Sequence, residues 1–427
     1  MPAGRRRMTM DAALPKDAAR VALMGLLSVA AAMGIGRFAF TPMLPLMLND
    51  GLLTLVESCL LAESNYLGYF LGAVLCSVLP GLWERRTGTE IPDAALAAIG
   101  LAATVALTLG MALPLPRWWP WLRFLSGMAS ALAFVFTANW CMRRLAQHHN
   151  PALAGFVYCG SGTGIALGGL SAGTVAALGW GAAAGWTLLG GLSGAIVLWA
   201  GHAWRRDRLR GGIMHAAAPA HAAQPAFADA APPSKRTLTW LALAYGLAGF
   251  GYIIIATFLP VLAREMLPGS RWVDLFWPLF GLCAALGCLL ATRLPQHWDN
   301  RLLLAACYGA QALGVVMGLW WPSVAGFVLC SVLVGTPLTA LTLFAFREIR
   351  LRWPHRAASI MGLMTALYAL GQILGPPLVG VSLRAGYGRA EVFAWSLHAA
   401  GAALLVGGAV WLTACVRAPA RGMVRAY

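Results

Sequence analysis

Long apolar stretches alternate with short polar ones along the whole chain, and the apolar stretches number twelve. They fall at about 21–47, 58–81, 94–113, 118–142, 152–178, 183–204, 237–263, 274–294, 301–321, 323–346, 357–381 and 391–416. An α-helix needs roughly 20 apolar residues to cross the hydrocarbon layer of a bilayer, so each stretch is long enough to span it. The pattern predicts an all-α membrane protein.

One interval departs from this rhythm. Between Arg205 and Arg236 a basic cluster passes into Ala, Pro and His, punctuated by Gly211, Gly212, Pro219, Pro225, Pro232 and Pro233. Such a stretch buries too little apolar surface to offset its ordering entropy, and it reads as a linker. The chain then divides into a tail over 1–20, a six-helix bundle over 21–204, the linker over 205–236, a second six-helix bundle over 237–416 and a tail over 417–427. His215 and His221 stand isolated in the linker, which gives no basis for a metal site there.

The two halves repeat each other. GIGRFAFTPMLPLM from Gly34 aligns without a gap with GFGYIIIATFLPVL from Gly249, so that Gly34, Gly36 and Pro45 match Gly249, Gly251 and Pro260. A repeat at half-length in an apolar chain is the mark of a transporter built from two parallel halves. The copies differ where the first carries Arg37 and the second Tyr252. A charge stands within one helix and not within its counterpart.

Composition agrees with lipid as the solvent: 59% of residues are apolar, 11% are charged, and the mean hydropathy is +0.71. Soluble domains carry about 25% charged residues. The net charge of +16 would point to nucleic acid in a soluble protein, but its distribution explains it otherwise. Of the 31 Lys and Arg, 24 fall on one side of the twelve-helix pattern, and Arg117, Arg264, Arg271, Arg384 and Arg389 on the other, with Arg37 and Arg123 inside helices. By the positive-inside rule, both termini and the linker lie in the cytoplasm, and the protein is a multi-pass component of a bacterial-type inner membrane. No nucleic-acid partner is needed.

The first apolar run is too long for a signal peptide and contains Arg37, so it is expected to remain as a helix. The nine cysteines lack metal-ligand spacing and read as small packing residues. No metal or cofactor is expected. The chain has no HExxH, GxSxG or GxxxxGK[ST] motif, which argues against an enzyme and against a pump driven directly by ATP.

Several motifs resemble those of the major facilitator superfamily. RFLSGMASA, with Arg123 and Gly127, resembles the basic motif of its fourth helix. GSGTGIALGG, with Gly160, Gly164 and Gly168, resembles its fifth-helix antiporter motif, and GQILGPPLVG repeats the pattern with Gly371 and Gly375. GLWERRTGT resembles the loop motif between the second and third helices, keeping Gly81, Arg86 and Gly88, but with Arg85 at the acidic position. Together with GIGRFAFTPMLPLM and GFGY, these motifs make the whole chain resemble the YbfB/YjiJ-type branch of that superfamily. The resemblance implies a twelve-helix secondary transporter in the major facilitator fold.

Three ionisable groups carry the candidate chemistry. Arg37 lies 17 residues past Arg20, about 25 Å along a helix, and Glu63 and Arg123 reach a similar depth. A charge inside the membrane faces the bundle interior and pairs, so Glu63 is the available acid for Arg37. Two arginines around one cavity suit a carboxylate or other planar anion. Glu63 carries the coupling proton or serves as the structural partner of Arg37. Tyr252, Tyr158 and Gln372, with Tyr66 and Thr336, supply polar and aromatic lining, and Gly160, Gly164, Gly168, Gly371 and Gly375 form close-packing surfaces for conformational movement.

The expected function is secondary active transport of a small organic solute, anionic by this reasoning, by a proton-coupled, lipid-embedded monomer working through alternating access. Proton-antiport efflux of amphipathic compounds is an alternative. A non-transporting membrane sensor is a third reading, though the sequence carries no output domain.

Overall fold

The computed structural model describes residues 16–148, 153–210, 235–295, 297–353 and 356–417, and within these the fold is built from helices. Twelve of them have membrane-spanning length: α1 (Asp17–Asn49), α2 (Leu55–Thr87), α3 (Asp93–Gly110), α4 (Trp119–Gln147), α5 (Ala154–Ala177), α6 (Ala182–Arg210), α7 (Lys235–Met266), α8 (Phe276–Arg293), α9 (Asn300–Trp320), α10 (Val324–Arg352), α11 (Ala357–Arg384) and α12 (Arg389–Arg417). Eleven are strongly apolar by hydropathy. The exception is α5, which has no charged residue but is rich in glycine.

Local sequence sets many of the helix ends. Thr54 and Glu57 form a reciprocal capping box that starts α2: Glu57 N–H donates to Thr54 Oγ1 at 3.2 Å and Thr54 N–H donates to Glu57 Oε2 at 2.7 Å. Gly88 stops the same helix at φ 66°, donating its N–H to Glu84 O, a left-handed cap that favours glycine. Ser323 Oγ caps α10 by accepting from Gly326 N–H at 3.1 Å. From the α1–α2 turn, Asp50 accepts from Ala182 N–H at 2.6 Å and so caps α6.

The stretch over 205–236, expected as a linker, is helical at both of its ends. Arg205, Arg206, Arg208 and Arg210 belong to α6 and Lys235 and Arg236 to α7; arginine and lysine are good helix formers, and Gly211 is the first strong breaker. At the other end, α1 starts before residue 21. Residues 211–234, with His215 and His221, lie outside the described residues.

The halves α1–α6 and α7–α12 repeat one another in packing as well as sequence. Within the first, α1 packs on α5, α2 on α4 and α3 on α6; within the second, α7 packs on α11, α8 on α10 and α9 on α12. Between the halves, α2 packs on α11 and its counterpart α8 packs on α5, while α1 meets α7. The two repeat helices are the most enclosed, with 78% of the apolar window buried in α1 and 83% in α7. Leucines on the perimeter are bare by contrast: Leu198 is 77% exposed and Leu405 62%. Apolar surface of this kind needs lipid against it.

Glycine makes these interfaces possible. Helices in lipid gain no hydrophobic exclusion against one another, so they associate through close backbone approach. A Cβ on Gly34 would lie 2.2 Å from Gly164 Cα, joining α1 to α5, and one on Gly371 would lie 2.2 Å from Gly246 O, joining α11 to α7. At Gly160 it would meet Leu26 O at 2.1 Å and at Gly375 it would meet Ile253 Cγ2 at 2.3 Å, both again within a half. Gly168 differs, with nothing nearer than 4.0 Å. The seam between the halves uses other glycines: Gly162 of α5 against Ala285 N at 2.4 Å, and Gly281 of α8 against Ala166 N at 2.4 Å.

On the face of the bundle that carries the loop motif, buried Asp93 on α3 is bound by Arg143 of α4, which also reaches Glu90 at 3.3 Å. Arg85 and Arg86 of the motif are exposed. An acid on this face thus exists seven residues downstream of Arg86.

Candidate functional site

The site begins where α1 breaks. Its helical bonding passes into a π-helix over Ala30–Ile35, continues through turns at 36–39 and resumes as α-helix at Phe40. Gly36 N–H reaches back five residues to Ala31 O at 2.9 Å, and Phe38 N–H to Met33 O at 3.1 Å, the signature of a π-bulge. Pro42 has no N–H to return to Phe38 O. In the repeat, Thr257 stands where Pro42 would be, and α7 runs unbroken over Lys235–Met266. The first copy is therefore interrupted where the second is continuous.

The break frees backbone carbonyls inside the membrane, where each needs a donor. Arg123 of α4 supplies two: Nη1 donates to Gly36 O at 3.4 Å and Nη2 to Arg37 O at 3.0 Å, while Ser126 Oγ donates to Gly36 O at 2.7 Å. Asn65 Nδ2 in turn donates to Arg123 O at 2.9 Å. The Arg123 guanidinium also lies 4.9 Å from the Phe40 ring centroid and is 2% exposed. This cation is engaged in holding the broken helix.

Arg37 projects from the break toward the other half. Its Nη2 donates to Gln372 Oε1 of α11 at 2.5 Å, and Gln372 Nε2 donates to the hydroxyl oxygen of Tyr252 on α7. The guanidinium lies 3.8 Å from the centroid of Tyr69, 5.1 Å from Phe38 and 5.6 Å from Tyr66. Behind Tyr252 the rings continue, stacked on Tyr368 at 5.8 Å, with Tyr245 5.0 Å beyond. Arg37 is 4% exposed, and Gln372 and Tyr252 are each 2% exposed. Thus Arg37 and Tyr252, which occupy the same place in the two repeats, are brought onto one amide.

The expected Arg37–Glu63 pair does not form. Among the described residues Arg37 has no carboxylate within ion-pair distance, and the cation that acts on Glu63 is Arg384 of α11. The reason is depth: Tyr66 and Tyr69 of α2 lie against Arg37, and Glu63 stands six residues before Tyr69, about 9 Å further along the helix. Tyr158 is also elsewhere. Its neighbour Val157 lies beside Gly25, 12 residues before Arg37, or about 18 Å along α1; there Tyr158 meets the Phe134 ring edge-on at 6.0 Å. Thr336 stands at the α8–α10 contact, its carbonyl against Gly287.

Two further bonds cross between the halves near Arg37. Pro260 leaves Ala256 O without its helical donor, and Thr41 Oγ1 fills the place at 2.8 Å. Tyr66 and Thr257 hydroxyls meet at 2.8 Å. Tyr69, Tyr368 and Thr257 also belong to this site, and no motif in the sequence marks them; Thr257 Oγ1 in addition donates to Ile253 O at 2.7 Å.

The model of a family described as the uncharacterised MFS-type transporter YbfB matches residues 29–412. No curated protein matches the sequence. Among solved structures, the fold is similar to a point mutant of the nucleoside transporter NupG, with a TM-score of 0.68 at 13% identity over 91% of this chain and 99% of that one. A second NupG structure, without the mutation, gives 0.61 at 13% identity over 95% and 100%. With the family model spanning nearly the whole chain and the paired six-helix halves beneath it, the chain belongs to the YbfB-type family of major facilitator transporters.

Proposed function

We propose that the protein is a secondary transporter of a small organic anion, bound at Arg37 between the two halves and moved by alternating access. The observation that carries this reading is the position of Arg37: buried, unpaired by any carboxylate among the described residues, and held by a neutral amide from the opposite half. A charge in a low-dielectric interior is costly unless it is compensated, and an anion that enters with its own negative charge supplies that compensation. Because Arg37 lies on α1 and Gln372 and Tyr252 on α11 and α7, a solute at this point touches both halves. Differential contact with the two halves is what lets a ligand bias one state over another.

Arg123 supports this site from behind by keeping the α1 break in shape. Glu63, facing Arg384 across the α2–α11 interface, is proposed as the proton-coupling group: protonation removes its attraction to Arg384 and eases separation of the halves there. The termini face the cytoplasm in this reading. The nucleoside of the structural neighbours is uncharged, and at 13% identity the likeness covers the fold alone, so the solute is read from Arg37.

Proteoliposomes test the assignment. Wild-type protein should show saturable flux of an organic anion, and Arg37→Gln should abolish it while circular dichroism and the size-exclusion profile stay unchanged. Undiminished flux in a folded Arg37→Gln variant would overturn it.

A further inference from the structure

A guanidinium offers two parallel N–H groups along the edge formed by Nε and Nη2, and that edge grips a carboxylate through two bonds at once. In Arg37 the edge is half used. Its Nη2 donates to Gln372 Oε1, whereas Nε is buried and has no partner among the described residues. A carboxamide leaves this remainder by its chemistry: it has one acceptor oxygen, and its nitrogen is itself a donor, here turned to Tyr252. A carboxylate of the same shape has two acceptors and a full negative charge.

Resting on the anion site argued above, we propose that the Gln372 carboxamide stands in for a substrate carboxylate, and that the solute is a planar monocarboxylate that displaces Gln372 and occupies both Nε and Nη2 of Arg37. The single charge follows from the inventory of cations. Arg123 is the other deeply buried arginine beside the site, and its Nη atoms already serve Gly36 O and Arg37 O. A second acidic group on the solute would find there at most the buried Nε of Arg123, a single donor rather than a two-donor edge. The planar body follows from the walls: the faces of Tyr66 and Tyr69 approach the guanidinium from α2, and Tyr252 lies stacked on Tyr368 on the other half. Rings packed this way favour a flat, unsaturated body over a branched or sugar-like one.

The exchange also has a mechanical consequence. Arg37 and Gln372 belong to opposite halves, so their hydrogen bond holds the halves together. A carboxylate on Arg37 releases Gln372 and removes that tie, which links occupancy to movement.

Calorimetric titration of the detergent-purified full chain tests this with three probes of one ring: benzoate, its neutral isostere benzamide, and the dianion terephthalate. Benzoate should bind, and benzamide and terephthalate should each be weaker by about tenfold or more, the worth of a charge-assisted hydrogen bond. Gln372→Glu places a permanent carboxylate on Arg37 and should weaken benzoate by about tenfold or more without lowering the unfolding midpoint. Gln372→Ala should retain or tighten benzoate binding, which separates a displaced placeholder from a group that holds the solute. The proposal is overturned if benzoate does not bind, if benzamide or terephthalate equals it, if Gln372→Glu binds it undiminished, or if Gln372→Ala loses it. Flux of other anions that still depends on Arg37 would in that case leave the anion site standing and remove only this assignment. Anion flux indifferent to Arg37 would remove both.

Discussion

Two glycines four residues apart on α5, alike in the sequence motif, should respond oppositely to the same substitution. Gly164→Ala puts a methyl 2.3 Å from Ala30 O and 2.8 Å from Ala30 C and Cα. Ordinary contact begins near 3.4 Å, so α1 and α5 must part by about 1 Å, and the atoms in the way are backbone that cannot rotate aside. Overpacking costs about 1–3 kcal/mol, here at the upper end, and the better helix propensity of alanine returns up to about 1 kcal/mol. The net expectation for Gly164→Ala is a loss of about 1–2 kcal/mol. At Gly168 the same methyl meets nothing nearer than 4.0 Å, so only the propensity remains, and Gly168→Ala should be neutral or stabilising by up to about 1 kcal/mol. Unfolding midpoints in a titration of mild detergent with sodium dodecyl sulfate measure the difference directly. Equal midpoints for the two variants would refute the packing argument.

Three other outcomes follow from the same geometry. Arg123→Ala removes two charge-assisted hydrogen bonds from the α1 break and should lower stability by about 2–4 kcal/mol in that titration; a stable variant that has lost anion binding would instead make Arg123 a direct ligand. Thiols of Cys159 on α5 and Cys288 on α8 both point to Gly155 O, at 3.3 Å and 3.6 Å, so copper(II)–phenanthroline, taking one electron per copper as both thiol protons pass to water, should join them. This disulfide should arrest flux until dithiothreitol is added, and undiminished flux in protein shown by peptide mass to be cross-linked would mean that the α5–α8 seam stays closed during transport. Glu63→Gln should exchange solute across vesicles yet fail to concentrate it against a gradient in response to pH, and accumulation by this variant would exclude Glu63 as the coupling acid.

What the sequence determined by itself was the membrane architecture and the place to look. Length and apolarity of each stretch are local properties, set by the thickness of a bilayer, so twelve helices and two repeated halves are written in the chain. The same holds for the mismatch of Arg37 and Tyr252, because a repeat exposes its own exceptions. Tertiary structure decided the partners. Arg37 meets Gln372, 335 residues away, rather than Glu63, since partner choice depends on relative depth and on how α1, α2 and α11 are shifted and rotated against each other, and no local pattern encodes either. It likewise divided the glycines: Gly160 and Gly164 close on α1, Gly162 closes on the opposite half, and Gly168 closes on nothing. A missing side chain matters only where another backbone arrives, and which backbone arrives is settled when the whole bundle packs.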